Sequence, residues 1–351
     1  MASPAIQPSG LGQRKVTIED VARAAGVGRQ TVSNVLNGTG RVGAAARARV
    51  LEQVDQLRYQ PHHGARSLRS RRTMRLAYLM PPVQLQPTNL FALYFLQALL
   101  NAAAERHYRV VVGAHERDPS DDIRRLVGSR SVDAFVLSDL QPGDKRVDVL
   151  YALGVPFACM GRTSRGLPQH WVDIDNAAAE AEAVRYVLDQ GFTRPGYIGW
   201  ASGNYWDADR ESGFRTGLAS GGIPGDGAGV LSVSDNDVSA RDKIRSFLST
   251  AQPDAVLTGN DNIAVMVYSV AAELNLSVGR DLAVMGFEGG IRGDVLNPTL
   301  ATLVFPVDEV AVRVVDRALR QVENGEDGGP GEIVPVRLRP GESIPARRGA
   351  E

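Results

Sequence analysis

Residues Thr17–Asn37 read TIEDVARAAGVGRQTVSNVLN, and the spacing of their apolar and polar positions predicts two short helices joined by a tight turn. Thr17 stands three residues before Asp20. That is the spacing of a capping box, in which a hydroxyl and a carboxylate each satisfy a backbone N–H at the start of a helix. Ile18, Val21, Ala22 and Ala25 recur at i, i+3, i+4 and i+7 and make one apolar stripe. Gly26 can take the left-handed conformation that closes a helix. Val27 follows as a plug before a second periodic segment opens near Gly28. Val32, Val35 and Leu36 form its inward side, whereas Gln30, Ser33, Asn34 and Asn37 repeat on the other side with Arg29 beside them.

Arginine can pair bidentately with guanine, and glutamine or asparagine with adenine. A helix presenting Arg29, Gln30 and Asn34 therefore has the chemistry to read a major groove. An ordinary solvated helix face shows the same pattern, because short helix-turn-helix matches recur by chance. The rest of the chain decides between them. TIEDVARAAGV, TVSNVLN, the RVGAAARARV segment at Arg41–Val50 and YQPHHGARSL at Tyr59–Leu68 resemble, in order and spacing, the DNA-binding end of the lactose-repressor (LacI/GalR) family.

This resemblance implies a ligand-responsive transcription regulator. Its fold would be a small all-α helix-turn-helix domain followed by a two-lobed α/β domain of the periplasmic-binding-protein type. It implies a DNA-facing set of Thr17, Arg29, Gln30, Thr31, Ser33, Asn34, Asn37, Arg47, Tyr59, Ala65 and Leu68. His62–Leu68 would be a hinge helix that pairs with its dimer mate in the minor groove. There Ala65 permits close approach and Leu68 acts as a wedge between base steps. Several residues depart from the family pattern: Gly28 and Gly43 stand where serine is usual, Ala46 for Thr or Ser, and His62 for Asn. Gly64 inside the hinge costs about 1 kcal/mol relative to alanine. DNA affinity is therefore expected to be weaker than usual, or compensated by Arg47 and Arg49.

A chain of 351 residues is long enough for about two to three domains. Its 43% hydrophobic and 23% charged residues describe a soluble globular protein, with no apolar run near the roughly 20 residues of a membrane span. The opening MASPAIQPSGLGQ lacks the basic start and apolar core of a secretory signal and reads as a disordered arm over 1–14. A cytoplasmic, nucleoid-associated protein is expected. The single cysteine, Cys159, supports neither an internal disulfide nor a thiolate metal cage and reads as a small buried hydrophobe. The net charge of -1 hides a division. Arg14–Arg75 holds 13 basic residues against 4 acidic, and the remainder 26 against 36, so the front of the chain is the end suited to a polyanion.

After the second helix, Ala44–Arg58 is expected to form a third, with Val50, Leu51, Val54 and Leu57 facing inward. Tyr59-Gln60-Pro61 ends it, since the residue before a proline leaves helical geometry. From Arg75 onward, short apolar runs (RLAYLM, RVVVGA, DAFVLS, PFACM, then YIGW, VLSV, AVLTG, LAVMGF) alternate with helical segments at 89–107, 121–128, 145–153, 176–190, 207–220, 239–250 and 262–274. That rhythm predicts parallel α/β sheets in two lobes. The expected organisation is a DNA-binding domain at 15–60, a hinge and linker at 61–74, and an effector and dimerisation domain at 75–345. The N-lobe would comprise about 75–174 and 304–333, and the C-lobe about 175–303 and 334–345. The chain would cross between lobes near Asp175, Leu303 and Val334.

The resemblance continues more loosely through NLF (89–91), GVP (154–156), DN (175–176), DRESGF (209–214), GNDNIA (259–264) and VMGFE (284–288). It implies an effector cleft at the carboxyl ends of the strands. Arg210, Asn260, Asp261 and Glu288 match the family's polar contacts. Trp206 offers an apolar plate for a pyranose face, and Phe91, Ser138 and Arg162 fall on the opposite lobe. Alternatives stay open: Arg210 and Asp261 as a structural ion pair, Phe91 as core, Trp206 as a surface aromatic. Glu288 stands where the family usually has aspartate, which reshapes the pocket.

The leading expectation is a homodimeric repressor that binds a palindromic duplex and responds to a carbohydrate effector. No leucine heptad follows Val334 to support a tetramer. A periplasmic sugar-capture protein would need export. An enzyme with a nucleotide cofactor would need a GxGxxG after the first strand or a GxxxxGK[ST], and the sequence has neither. His107, His115 and His170 show no metal-ligand spacing. Neither catalysis nor a cofactor is expected.

Overall fold

The computed structural model describes residues 16–37, 39–59, 72–80, 90–114, 119–162, 170–224, 229–234, 238–290, 295–325 and 329–347. The chain divides into two compact units, Met1–Thr73 and Met74–Glu351.

In the first unit, α1 (Ile18–Ala25), α2 (Arg29–Asn37) and α3 (Ala44–Gln56) enclose a small core. Both halves of the capping box form: Asp20 N donates to Thr17 Oγ1 at 3.3 Å and Thr17 N to Asp20 Oδ2 at 3.0 Å. Gly26 ends α1 at φ 64, a conformation costly for any residue with a Cβ. Val21, Val32 and Val50 are fully buried together with Ala22, Ala25, Val35 and Tyr59. Each buried valine contributes about 1.5–3 kcal/mol. Leu51 departs from expectation and is 47% exposed. Val50, Val54 and Leu57, at i, i+4 and i+7, already supply the buried stripe, and Leu51 stands about 100° round the helix from Val50.

The second unit holds two six-stranded sheets. The first has β1 (Arg75–Met80), β2 (Arg109–Ala114), β3 (Ala134–Leu137), β4 (Phe157–Met160), β5 (Trp171–Asp173) and β11 (Glu332–Ile333), in the order β11-β5-β4-β3-β1-β2. The second has β6 (Pro195–Trp200), β7 (Val230–Val233), β8 (Ala255–Thr258), β9 (Ala283–Glu288), β10 (Ala301–Val304) and β12 (Arg337–Arg339), in the order β12-β10-β9-β8-β6-β7. Strands β1, β3, β4 and β8 are buried along all or nearly all of their length, as parallel strands covered by helices on both faces must be. The sheets are parallel, as expected, except at one edge, where β12 runs antiparallel to β10. The chain reaches β12 directly from β11 of the other sheet, with no crossover helix to restore a parallel direction.

Helices α4 (Leu90–Glu105), α5 (Ser120–Gly128) and α6 (Lys145–Ala152) belong with the first sheet, and α7 (Asn176–Asp189), α8 (Tyr205–Ser220), α9 (Ala240–Ala251) and α10 (Asp261–Glu273) with the second. The last helix, α11 (Val307–Asn324), follows β10 yet packs on α4 and the first sheet. The chain therefore crosses between lobes after β5, at Phe305–Pro306, and between β11 and β12. Within the C-lobe, α8 lies directly on α7. A Cβ on Gly213 would fall 2.2 Å from Ala177 O, and one on Gly217 would fall 2.6 Å from Val184 Cβ. Only glycine permits that approach.

Candidate recognition surface and effector cleft

On α2, Arg29 and Gln30 are exposed, and Thr31, Ser33 and Asn34 half-buried. The expected base-reading side chains do share one surface, and they engage one another. Gln30 Nε2 donates to Asn34 Oδ1 at 2.9 Å, and the Arg29 guanidinium lies 3.2 Å from Glu19. Arg47 is exposed on α3, whereas Arg49 donates through Nε to Ala25 O at 3.3 Å and so braces the end of α1. The Thr17 hydroxyl is occupied by its capping box and donates to Asp20 Oδ2 at 2.7 Å.

Tyr59 requires correction. It is only 8% exposed and belongs to the headpiece core with Val21, Val32 and Val50. Burial, and secondarily the charge of Glu19, raise its pKa. Gly43 caps α3 without a side-chain bond, and Gly28 O accepts from Thr31 N and Val32 N at the start of α2. Open space surrounds the Cβ direction of both glycines. Asn37 closes α2; Ala65 and Leu68 lie outside the described residues.

Between the two sheets of the second unit lies a cavity of about 310 Å³. Its C-lobe wall carries Arg210, 4% exposed. Its Nε donates to Asn176 Oδ1 at 2.9 Å and its Nη1 to Gly259 O at 2.5 Å. The guanidinium lies 3.5 Å from the centroid of Phe287 and 4.6 Å from that of Trp206. Desolvation lowers its pKa, opposed first by Glu288. Asn260 lines the same wall and caps α10, accepting from Ile263 N at 2.9 Å. Glu288 lines it too, at φ 106.

The opposite wall carries Tyr78, Phe91, Asp139, Arg162 and Asp173. Phe91 is both core and cleft: its ring meets Phe305 edge-on at 5.0 Å while also lining the cavity. Three contacts join the lobes across the cleft. Asp139 accepts from Asn204 Nδ2 at 2.5 Å and from the Trp206 side chain, and Arg162 pairs with Asp209 while lying 3.9 Å from Asp173. Burial raises the pKa of Asp139 and pushes that of Asp173 up to about 6.

Two expected effector residues are misplaced. Ser138 is fully buried, with its hydroxyl 2.7 Å from that of Tyr78; the chain turns at Asp139 (φ 54), so Asp139 rather than Ser138 enters the cleft. Asp261 does not line this cavity but the adjoining one. Its carboxylate accepts from Gly290 N at 2.6 Å and from Thr302 Oγ1 at 2.9 Å, and burial pushes its pKa up to about 6. It braces the loop after β9, and the imagined Arg210–Asp261 ion pair does not form. Asp139, Asp173, Asn176 and Asn204 are cleft residues absent from the expected set. Each lies at or just after the carboxyl end of a strand, or at a helix start, which is where open α/β sheets place ligand contacts.

A second cavity of about 440 Å³ shares Phe91, Asn262, Glu288 and Phe305 with the first and adds Asp308, Glu309 and Arg337. Cys159 is buried, as expected, and burial raises its thiol pKa. Among the described residues no helix is long and apolar enough to cross a membrane, and no group of three His, Cys, Asp or Glu is placed to hold a metal.

A helical headpiece with a polar reading face, joined in one chain to a two-lobed cleft, defines the class of ligand-responsive DNA-binding regulators. The model of bacterial regulatory proteins of the lacI family matches residues 17–62, and that of the periplasmic binding protein-like domain matches residues 184–344. The first unit thus carries a lacI-family DNA-binding domain and the second a periplasmic binding protein-like domain. Among the chain's relatives is the HTH-type transcriptional regulator DegA of Bacillus subtilis (strain 168), 25% identical over 301 residues that cover 84% of this chain and 88% of DegA. In fold it is similar to a lac repressor dimer bound to operator and the anti-inducer ONPF (22% identity, TM-score 0.82, 95% and 100% of the two chains). It is similar also to the transcriptional regulator CelR in complex with cellobiose (24% identity, TM-score 0.69, 94% and 100%). The chain is a DNA-binding transcriptional regulator, and its relatives are regulators rather than enzymes.

Proposed function

We propose that this regulator is a cytoplasmic, nucleoid-associated homodimeric repressor of a palindromic operator, controlled by a carbohydrate bound between its lobes. The observation that carries the reading is the cleft wall itself, where Trp206, Phe91 and Phe305 stand beside Arg210, Asn260 and Glu288. Aromatic faces beside convergent donors and acceptors match the alternating apolar and hydroxyl faces of a sugar. CelR, similar in fold, is bound to cellobiose, and the lac repressor dimer holds operator. In this reading Arg29, Gln30 and Asn34 address base edges. Thr31, Ser33, Asn37 and Arg47 serve the phosphates, and Ala65 and Leu68 form the hinge contact. Sugar binding changes operator affinity by the ratio of its affinities for the two lobe arrangements.

The test uses the full chain. Duplexes are selected from a randomised library at low ionic strength, and the enriched sequence is then titrated in the presence of single sugars. An inverted repeat should emerge, and one sugar should shift its apparent Kd by about 5–150-fold. Absence of any sequence preference refutes the DNA reading; indifference to every sugar refutes the carbohydrate reading.

A further inference from the structure

We propose that the cleft is built for an effector without negative charge, an uncharged sugar, polyol or amino sugar, and that it rejects phosphorylated sugars and sugar acids. This rests on the cleft being the carbohydrate site. Among the described residues the cavity is lined by two cations, Arg162 and Arg210, and both are engaged within the protein. Arg162 is paired with Asp209 and lies near Asp173. Arg210 gives Nε to Asn176 and Nη1 to Gly259 O, stacks on Phe287 and faces the charge of Glu288. The bidentate fork that a phosphate or carboxylate needs is thus already divided.

Against these cations stand Asp139, Asp173 and Glu288 in the same cavity, and the adjoining one adds Asp308 and Glu309 against Arg337. Arg146, close to Asp139, is held by Asp144 at 2.7 Å. The helix N-termini at the cleft would ordinarily attract an anion, but those of α7, α8 and α10 each carry a carboxylate. Asp175 caps α7, Asp207 on α8 accepts from Trp200 N and Ser202 N at 3.1 Å, and Asp261 opens α10. An incoming anion would lose its hydration and, among the described residues, meet only cations already engaged within the protein. A hydroxyl can donate to the carboxylates and accept from the N–H groups that Arg210 has left over.

The experiment sets neutral hexoses and disaccharides beside their own phosphate esters and uronic acids, with affinities measured by calorimetry on the full-length protein and on Glu288→Gln. For any sugar that binds, the charged partner should bind at least about tenfold more weakly, the size of like-charge repulsion at about 10 Å and an effective dielectric of about 20. Glu288→Gln should narrow that gap, and Asp139→Asn provides the same comparison if Glu288→Gln loses binding altogether. A phosphate or acid bound as tightly as its neutral parent overturns the inference, as does a gap that neither variant narrows. A panel in which neither member of any pair binds overturns the carbohydrate reading itself, and this inference with it.

Discussion

Replacing Glu180 with glutamine should remove the largest single share of the pH dependence of the second unit's stability between pH 5 and pH 8, to which Asp173 and Asp261, raised to about 6, also contribute. Glu180 lies on α7, 1% exposed. Burial pushes its pKa from 4.5 up to about 8, with only the charge of Arg210 pulling it down. The folded protein therefore holds a proton that the unfolded chain has released. The resulting stability is fully present below the unfolded value and is lost as pH rises through the folded one. Integrating between those two values from pH 5 to pH 8 gives a loss of about 3 kcal/mol assignable to this carboxyl. Trp171, Trp200 and Trp206 are the chain's only tryptophans and all lie in the second unit, so urea unfolding followed by tryptophan fluorescence reports on that unit. Wild type and Glu180→Gln are compared at both pH values. Any cost of fitting the amide is common to both and cancels, so the wild-type-minus-variant difference should change by about 3 kcal/mol. Parallel pH profiles would refute the reasoning.

Arg210→Lys keeps the charge but cannot make both the Asn176 and Gly259 bonds, so sugar affinity should fall at least about tenfold in calorimetry; unchanged affinity would remove Arg210 from the site. Asn34→Ala should cost about 1–3 kcal/mol at one base position and relax preference there. Arg47→Ala should instead weaken all duplexes alike and lower the salt slope by about one; mobility shifts over a salt series separate the two patterns. Gly28→Ser places a hydroxyl at the N-cap of α2 in open space. It should stabilise the headpiece by a few tenths of a kcal/mol and tighten binding to the selected duplex; weaker or equal binding in a titration counts against it.

The features most legible in the sequence were those with local causes. The Thr17–Asp20 box, the Gly26 stop and the strand runs that needed burial on two faces all declare themselves within a few residues. The stripe Val310, Ala311, Val314 and Ala318 likewise marks α11 plainly, although the expectation assigned that segment only to a lobe. Strands β11 and β12, of two and three residues, are too short to show any period, and their pairing is fixed by distant partners. In the cleft, Arg210, Trp206, Asn260, Glu288, Phe91 and Arg162 stand where the motif match put them. Ser138 and Asp261 do not, for a common reason. Motif matching gives a position along the strand end but not which way the side chain turns, and the left-handed backbone at Asp139 or a bond from Gly290 N decides that. Leu51 and Tyr59 show the same limit in the headpiece, where one step round a helix or one ring turned inward separates surface from core.

The glycine seam between α7 and α8 bears on how the second unit can move. Asn176 at the head of α7 and Arg210 midway along α8 are bonded to each other, and the helices that carry them touch backbone to backbone at Gly213. With backbone against backbone at Gly213 and the Val184 side chain set directly on Gly217, the pair has little room to slide and behaves as a single casting. An incoming molecule thus meets a fixed mould on that side, and whatever adjustment its arrival demands falls to the facing wall at Asp139 and Arg162 and to the three strands of chain that join the halves.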